Sequence, residues 1–471
     1  MNIKRKYLLL SMVFLSFTFF AHAEAVPDGI IVLSPEIAVD MAIRNNLNLE
    51  SARIGLDIRR RGSELAWNQL VPSVGVAGNL SRENWAPVQQ GMTIPLPGSP
   101  IVIPSTTLPQ WRMNGAFSAS LDFSFALFEG MKRMRLDYEA GLVSYEKAKL
   151  QMEQAVRKMY NSILLLKANE TLLLDSFENT RRQANIAEAN FRAGLAPRLT
   201  WLQAQVAVEN MRPAVSDLES NLSSLIGNFA LLLGLPHDSV FEFLPISLGS
   251  QYIQPDVAAF ISRAALEKPD IQELKASILT LHSQSKALTL QQFTPFLRLS
   301  WNLTSLFNPT LDPFKDNLFT TDNWDKGGNF TITLGMSFNS FLPFTREAQQ
   351  RMDMQAGIEM QNLRLAQMVM ETELEIFTKI NSLERIITTV HAQQATVDLA
   401  GQSYRLTEEA YRAGLQDFQA VRSAALALEQ ARLQLLTQQY NYLNDLIDLE
   451  YAIGVPFGTL SSANFSNMEN N

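Results

Sequence analysis

The second half of this chain repeats the first at a shift of about 220 residues. Phe191-Arg192-Ala193-Gly194-Leu195 returns as Tyr411-Arg412-Ala413-Gly414-Leu415, Gly234-Leu235-Pro236 as Gly454-Val455-Pro456, and Asn161-Ser162 as Asn381-Ser382. At slightly different shifts, Phe117 to Phe125 matches Phe330 to Phe338, and the surroundings of Pro72, Asn79 and Leu80 match those of Pro295, Asn302 and Leu303. Each half therefore holds the same ordered set: strand, long loop, strand, very long helix, tip and returning helix. A duplication on this scale fixes the architecture before any local reading does. It predicts one elongated, fused body in place of the two or three compact domains that 471 residues would otherwise suggest.

The first residues read as an export leader. Lys4, Arg5 and Lys6 precede an apolar run from Tyr7 to Phe20, and Ala21-His22-Ala23 gives a small-residue cleavage site before Glu24. That run is short for a bilayer-spanning helix, and no later segment reaches 18 uninterrupted apolar residues. The chain has no cysteine, which removes disulfides, thiol nucleophiles, cysteine metal sites and a lipid-modified cysteine after the leader. Loss of the three leader cations moves the balance from 39 against 47 to 36 against 47, or -11, an acidic surface unsuited to nucleic acid. The expected organisation is a signal peptide at 1–23, a first repeat at 24–240, a second at 241–457 and a polar tail at 458–471.

Four segments alternate with period two. Phe117, Ala119, Leu121, Phe123 and Phe125 oppose Ser118, Ser120, Asp122 and Ser124. Phe330, Ile332, Leu334, Met336 and Phe338 oppose Thr331, Thr333, Gly335 and Ser337. Leu297, Leu299, Trp301 and Leu303 oppose Arg298, Ser300, Asn302 and Thr304, and a weaker set runs through Val74, Val76, Gly78 and Leu80. The spacing predicts strands near 72–82, 114–126, 295–305 and 329–340. One such strand suits an ordinary sheet. Four of them, long enough to cross a membrane, flanked by Trp111, Phe128, Trp324 and Phe341 and joined by long turn-rich loops, suit a lipid-facing barrel. The residues expected to face lipid are Phe117, Leu121, Phe123, Leu299, Trp301, Ile332, Leu334 and Met336. Four strands cannot close a barrel, and an open edge in hydrocarbon leaves backbone groups unpaired. The chain must therefore oligomerise, with two copies giving 8 strands and three giving 12.

No proline occurs from Met131 to Ala193 or from Thr345 to Gly414. Apolar positions there recur at alternating steps of three and four, as in Ile376, Ile380, Leu383, Ile387 and Val390, the spacing of knobs-into-holes packing. Helices are expected near 129–193, 199–233, 345–413 and 418–453. Polar intrusions at Gln394, Arg432 and Gln439 fit a seam with one wet face. Pro213 should bend its helix or break a backbone bond, and Leu433 stands at the equivalent place in the second half.

This ordered duplication, with its twin tips at Phe191 to Leu195 and Tyr411 to Leu415 and with Pro72 and Pro295 entering the strands, resembles the TolC family of outer-membrane efflux and secretion channels. The resemblance covers nearly all of the mature chain. It implies a mainly α fold with membrane β: a homotrimer whose 12-stranded barrel continues into a long periplasmic α-helical barrel. It also implies an exit duct, passively conducting substrates for a tripartite efflux or type I secretion system, with outer-membrane lipid around it and a periplasmic adaptor protein and an inner-membrane pump at its inner end. The tips would be the docking end, through Arg192, Gly194, Leu195, Arg412, Gly414 and Leu415. Several family members carry acidic residues six and nine places after the second tip glycine. Those places hold Ala420 and Ser423 here, with Asp417 and Arg422 nearby, so the four residues mark a candidate constriction without the acidic ring.

Nothing in the sequence points to catalysis. His237, His282 and His391 lack ligand spacing, and no phosphate-binding, dinucleotide or nucleophile-elbow pattern occurs, so neither a metal nor a cofactor is expected. The competing reading is a non-channel coiled-coil adaptor of the periplasm. Such a protein would usually show one helical hairpin between soluble β-domains.

Overall fold

The computed structural model describes residues 30–95, 97–246, 267–308, 311–413 and 415–460. The expected leader, the tip glycine Gly414 and everything from 461 onward lie outside the described residues. In chain order the elements begin with β1 (Ile31–Leu33), α1 (Pro35–Asn45), α2 (Leu47–Glu64) and β2 (Ser73–Arg82). Four short strands follow, β3 (Val88–Gln89), β4 (Met92–Ile94), β5 (Ile101–Ile103) and β6 (Thr106–Thr107). Next come β7 (Trp111–Ser124), α3 (Ala126–Arg192), α4 (Arg198–Leu232) and β8 (Phe241–Phe243). The second half supplies α5 (Pro269–Phe293), β9 (Phe296–Phe307), β10 (Trp324–Gly335), α6 (Arg346–Arg412) and α7 (Phe418–Ile453). The twin helices α3 and α6 have 67 residues each, about 100 Å at 1.5 Å per residue.

The long strands form one antiparallel sheet in the order β10-β9-β7-β2. Its register decides the faces, because residues directly opposite one another share a side of the sheet. Phe330 lies opposite Trp301, Trp301 opposite Ala119, and Ala119 opposite Val74. Ile332, Leu299 and Leu121 form the next row on that side, and Leu334, Leu297 and Phe123 the one after. All four apolar alternations thus merge into one continuous face. The polar sets merge on the other, where the Arg298 guanidinium donates to the Asp122 carboxylate directly across the ladder.

Two expectations need correction here. The strand placed near 329–340 runs from Trp324 to Gly335, which leaves Met336 and Phe338 beyond its end. Gly335 lies opposite Phe296, the first residue of β9, and Pro295 before it has no N–H to extend the ladder. At the other end the Trp324 and Phe307 rings meet edge to face at 5.3 Å, which carries the pairing further out than the alternation alone indicated. The polar tail begins later than 458. Leu460 is buried, and the Glu450 carboxylate, 1% exposed, accepts the N–H groups of Gly458 at 2.9 Å and Leu460 at 2.8 Å. Burial pushes the Glu450 carboxyl above its ordinary range, against these two hydrogen bonds.

The sequence reading also left α1, α2, α5 and the small strands unnamed, and these complete the wall. Next to the sheet the helices pack in the order α2-α3-α5-α6, the order of the strands they adjoin, β2-β7-β9-β10. Farther from the sheet the order is α4-α3-α7-α6. The wall stays four helices wide because short helices stack end to end, α4 onto α2 and α7 onto α5. The Asn46 side chain joins the first pair. Its oxygen accepts the N–H groups of Asn48 and Leu49 at the start of α2, while its amide donates to the Leu232 carbonyl at the end of α4 at 2.8 Å. Pro213 sits inside α4 without ending it, so the hydrogen bond it cannot donate is absorbed within a continuous helix.

These joints need glycine. Gly234 and Gly454 have φ of +73° and +77°, and a Cβ at Gly234 would lie 2.3 Å from the Asn45 carbonyl oxygen, one at Gly454 2.7 Å from that of Glu267. Gly234→Val should therefore cost more than the 1–3 kcal/mol, roughly, of a left-handed backbone alone, since Asn45 must also move. Gly357→Ala, in α6 with open space around it, should be neutral. Thermal unfolding followed by circular dichroism compares the two, and an equal midpoint for both would refute the joint.

Two cores brace the wall at this level. Tyr160 of α3 packs among Phe229, Phe241 and Phe243, and its hydroxyl lies 2.8 Å from both the Leu33 and Leu244 carbonyls, pinning the parallel β1–β8 pair. Ile376, Ile380, Leu383 and Val390 of α6 interlock with Leu446, Leu449 and Ile453 of α7, as their spacing predicts.

Candidate functional site

The two tips lie at the ends of α3 and α6, far from the sheet. At the first, the Leu195 N–H bonds the Asn190 carbonyl and the Gly194 N–H bonds that of Phe191, with Gly194 at φ +75°. That is a Schellman cap, which disposes of the carbonyls a helix leaves unpaired at its C-terminus. At the second, the Leu415 N–H bonds the Ala410 carbonyl in the same way. In such caps the apolar residue after the glycine commonly folds back on the last helical turn. Here it does not: Leu195 is 79% exposed and Leu415 78%. Local packing accounts for neither leucine.

The remaining tip residues have clear local roles. The Phe191 ring stacks flat on Trp201 at 5.4 Å, and Tyr411 meets Phe418 edge to face at 6.5 Å, so the aromatic of each motif closes its own hairpin. Arg192 pairs with Glu188, and Arg412 with Glu408 at 2.7 Å, one turn back on the same helix. Both pairs are largely exposed, so they add little to stability. Each cation also suits the negative end of its helix.

Of the candidate constriction residues, Asp417 caps α7, its carboxylate accepting the Ala420 N–H at 2.8 Å. Ala420 and Arg422 are half-buried and Ser423 is exposed. The structure brings the four together on the first turns of α7. Among the described residues Arg422 makes no hydrogen bond or ion pair, which leaves its charge available. Sequence reasoning missed Phe418. It is 3% exposed and sits among Ala184, Ala187, Ala204 and Val208 of the first hairpin, tying the two tips together. The signal was present in the repeat, because the equivalent position holds Arg198, a surface residue type. Above this contact the hairpins part around a cavity of about 470 Å³ lined by Asp175, Ser176, Tyr404, Arg405, Glu429 and Arg432. Arg432, one of the polar intrusions, thus finds water.

Nearer the sheet the seam between α3 and the second hairpin is polar. Lys158 reaches Asp448 at 2.8 Å, Lys379 bonds both Asp445 and Asp448, and the Asn161 side-chain amide donates to the Asn444 Oδ1 at 2.9 Å. Burial opposes ionisation of Asp448, but the hydrogen bonds from Lys158 and Lys379 outweigh it and hold the carboxyl below the usual carboxylate range. Lys147 does the same for Asp270 and Glu273 at the head of α5.

The last feature is the sheet's apolar face. Phe117, Leu121, Phe123, Leu299, Trp301, Ile332 and Leu334 lie on it together by register, while Met336 falls outside the strand. Among the described residues no helix or second sheet packs against it, and no helix is long and apolar enough to cross a membrane.

Residues 38–234, essentially the whole first repeat, match the sequence model of the outer membrane efflux protein family. Over that stretch the chain is similar to the family. The fold agrees over most of the chain: CusC superposes with a TM-score of 0.69 at 17% identity, covering 90% of this chain and 92% of that one. The outer membrane protein VceC of Vibrio cholerae gives 0.66 at 17% identity, over 90% and 96%. The Campylobacter jejuni outer membrane channel CmeC gives 0.66 at 17% identity, over 92% and 88%. No curated protein matches the sequence itself. The match of the first repeat and the fold of the whole together describe an outer-membrane efflux channel protein of TolC type, with the sheet as its membrane part and the helices as its periplasmic extension.

Proposed function

We propose that three copies of this efflux protein join edge to edge into one tube that conducts substrates passively from periplasm to exterior. The observation that carries the reading is the match between the two edges of the chain. The sheet ends in β2 on one side and β10 on the other, and the wall beside it ends in α2 and α6 on the same sides. Both edge helices carry exposed apolar stripes: Leu47, Ile54 and Ile58 on α2, continued by Leu65 at its C-cap, and Leu363, Met370, Leu374 and Phe377 on α6. Their levels agree. Arg59 lies against Gly141, Lys147 bonds Asp270, and Lys268 bonds Glu375, so positions near 54 of α2 and near 371 of α6 stand at one height. Because the strands alternate in direction, β10 of one copy meets β2 of the next antiparallel, which continues the sheet and removes its edges.

Copy number follows from bore. Eight strands leave room only for side chains, whereas 12 leave a channel. Energy for transport then comes from an inner-membrane pump, reached through an adaptor at the Leu195 and Leu415 tips, and the duct itself performs no catalysis. The adaptor reading of the chain itself lacks support, because an adaptor has no use for four strands sharing one apolar face. In detergent extracts of outer membranes the chain should run as an SDS-resistant trimer that heating converts to monomer, and the trimer should conduct ions in planar bilayers. Recovery as a soluble periplasmic monomer would overturn the reading.

A further inference from the structure

The outward connections of the sheet carry apolar surface that the tube itself does not explain. From Asn84 to Gln110 the sequence holds no charged residue, and there the loop expected between the first two strands is instead an arm. Glu83 N–H bonds the Gln110 carbonyl at 2.7 Å, β3 pairs with β6, and β4 pairs with β5, so the arm prolongs the β2–β7 ladder beyond the sheet. Isolated two-stranded ribbons of this size are marginal in water, and this one exposes Met92, Ile94, Ile101, Val102 and Ile103. At its root Trp85 is 86% exposed, three residues beyond the end of edge strand β2.

The other edge has a counterpart. The connection between β9 and β10 is pinned at two points: Phe314 meets Trp111 of β7 edge-on at 5.0 Å, and the Trp324 indole donates to the Leu318 carbonyl at 2.8 Å. The second contact holds Phe319 beside the outer end of β10, where it is 94% exposed. Asn79, Asn114, Leu306 and Asp325 form one row across the four strands. Counted along the chain, Trp85 and Phe319 each lie six residues beyond that row, 85 less 79 and 325 less 319, on opposite edges. Two large rings, each bare and each at an edge strand, are what a joint between copies would bury.

We propose that the arm of one copy rests on the 311–323 connection of the next, with Trp85 packed on Phe319 as a clasp over the outer end of the β2–β10 joint. The occupant of each surface is thus a second copy of this chain. The proposal rests on the closed-tube reading and adds to it a contact beyond the barrel. The arm carries no charge to meet Asp312, Lys315, Asp316 or Asp322 of the 311–323 connection, so the contact it can offer there is apolar.

The absence of native cysteine makes the test direct. Trp85→Cys and Phe319→Cys are placed on separately tagged chains, produced together and treated in membranes with a short thiol crosslinker. A band containing both tags is expected, and only contact between copies can form it. Ile54→Cys with Met370→Cys, in the same two-chain arrangement, reports assembly of the helical wall. If that control links and the clasp pair does not, the clasp is wrong. If Trp85→Cys chains link to one another, the arms meet on the tube axis and the clasp is again wrong. If neither pair links and no SDS-resistant oligomer forms, the closed tube fails and the clasp with it. Trp85→Ala and Phe319→Ala should each lower the temperature at which the SDS-resistant oligomer dissociates. The double variant should fall no lower than the worse single one, and additive losses would mean the rings do not touch.

Discussion

Phe330→Arg is expected to abolish assembly, whereas Thr331→Arg, one residue along the same strand, should leave the oligomer intact. The two side chains leave β10 on opposite faces. Phe330 lies in the apolar row with Trp301 and Ala119, midway along the strand, while Thr331 lies opposite Ser300 in the polar row. An arginine on the lipid face near the bilayer midplane costs about 2–4 kcal/mol, so a trimer carrying three would lose about 6–12 kcal/mol, more than most assemblies hold in reserve. The register also grades the series. Leu334 stands one residue from the strand end, and the cost of arginine there should fall toward the interfacial 0–1 kcal/mol, roughly. Thr333 is the wrong control, since it lies opposite Arg298 and a second cation would sit directly across from the first. Heat-modifiable migration and outer-membrane yield measure the effect, and equal tolerance at Phe330 and Thr331 would reverse the face assignment.

Leu195→Asp and Leu415→Asp act at the opposite end, and there the assembly is expected to survive while transport is lost. The caps that turn the chain at these points use backbone groups, so the leucine side chains can change without disturbing the turn. A leucine that becomes buried on docking contributes about 1.5–3 kcal/mol, a tenfold to hundredfold factor in affinity at each tip, and each tip occurs three times in the tube. Arg412→Gln removes only an exposed pair with Glu408, worth about 0.3–0.5 kcal/mol, and should leave export near normal. Export of a substrate in cells and crosslinking to the adaptor separate the variants. Normal export by Leu415→Asp would mean that docking uses other residues.

The duplication, the four alternating strands and the two long helices were legible because each is a periodic signal carried over many residues. Phe117, Leu121, Leu299 and Ile332 could be assigned to one face from alternation alone, and Ile376, Ile380 and Leu383 to one seam from their spacing. Helix ends were legible where a cap marks them, as at Asp417 and Gly194. What failed was local. The second-half strand was placed five residues too far along, because Phe338 continues the alternation after its partner strand has ended. Phe418 was overlooked, because the alanines that receive it carry no pattern of their own.

The sequence by itself determined the elements and their faces, since alternation and three-four spacing are properties of one segment and its own backbone. Only the tertiary structure decided the order β10-β9-β7-β2, the matching order of the helices beside it and the end-to-end joints at Asn46, Gly234 and Gly454. Those depend on which distant segments come to lie side by side. A period of two or three and a half states that a face must be covered, but carries no information about what covers it.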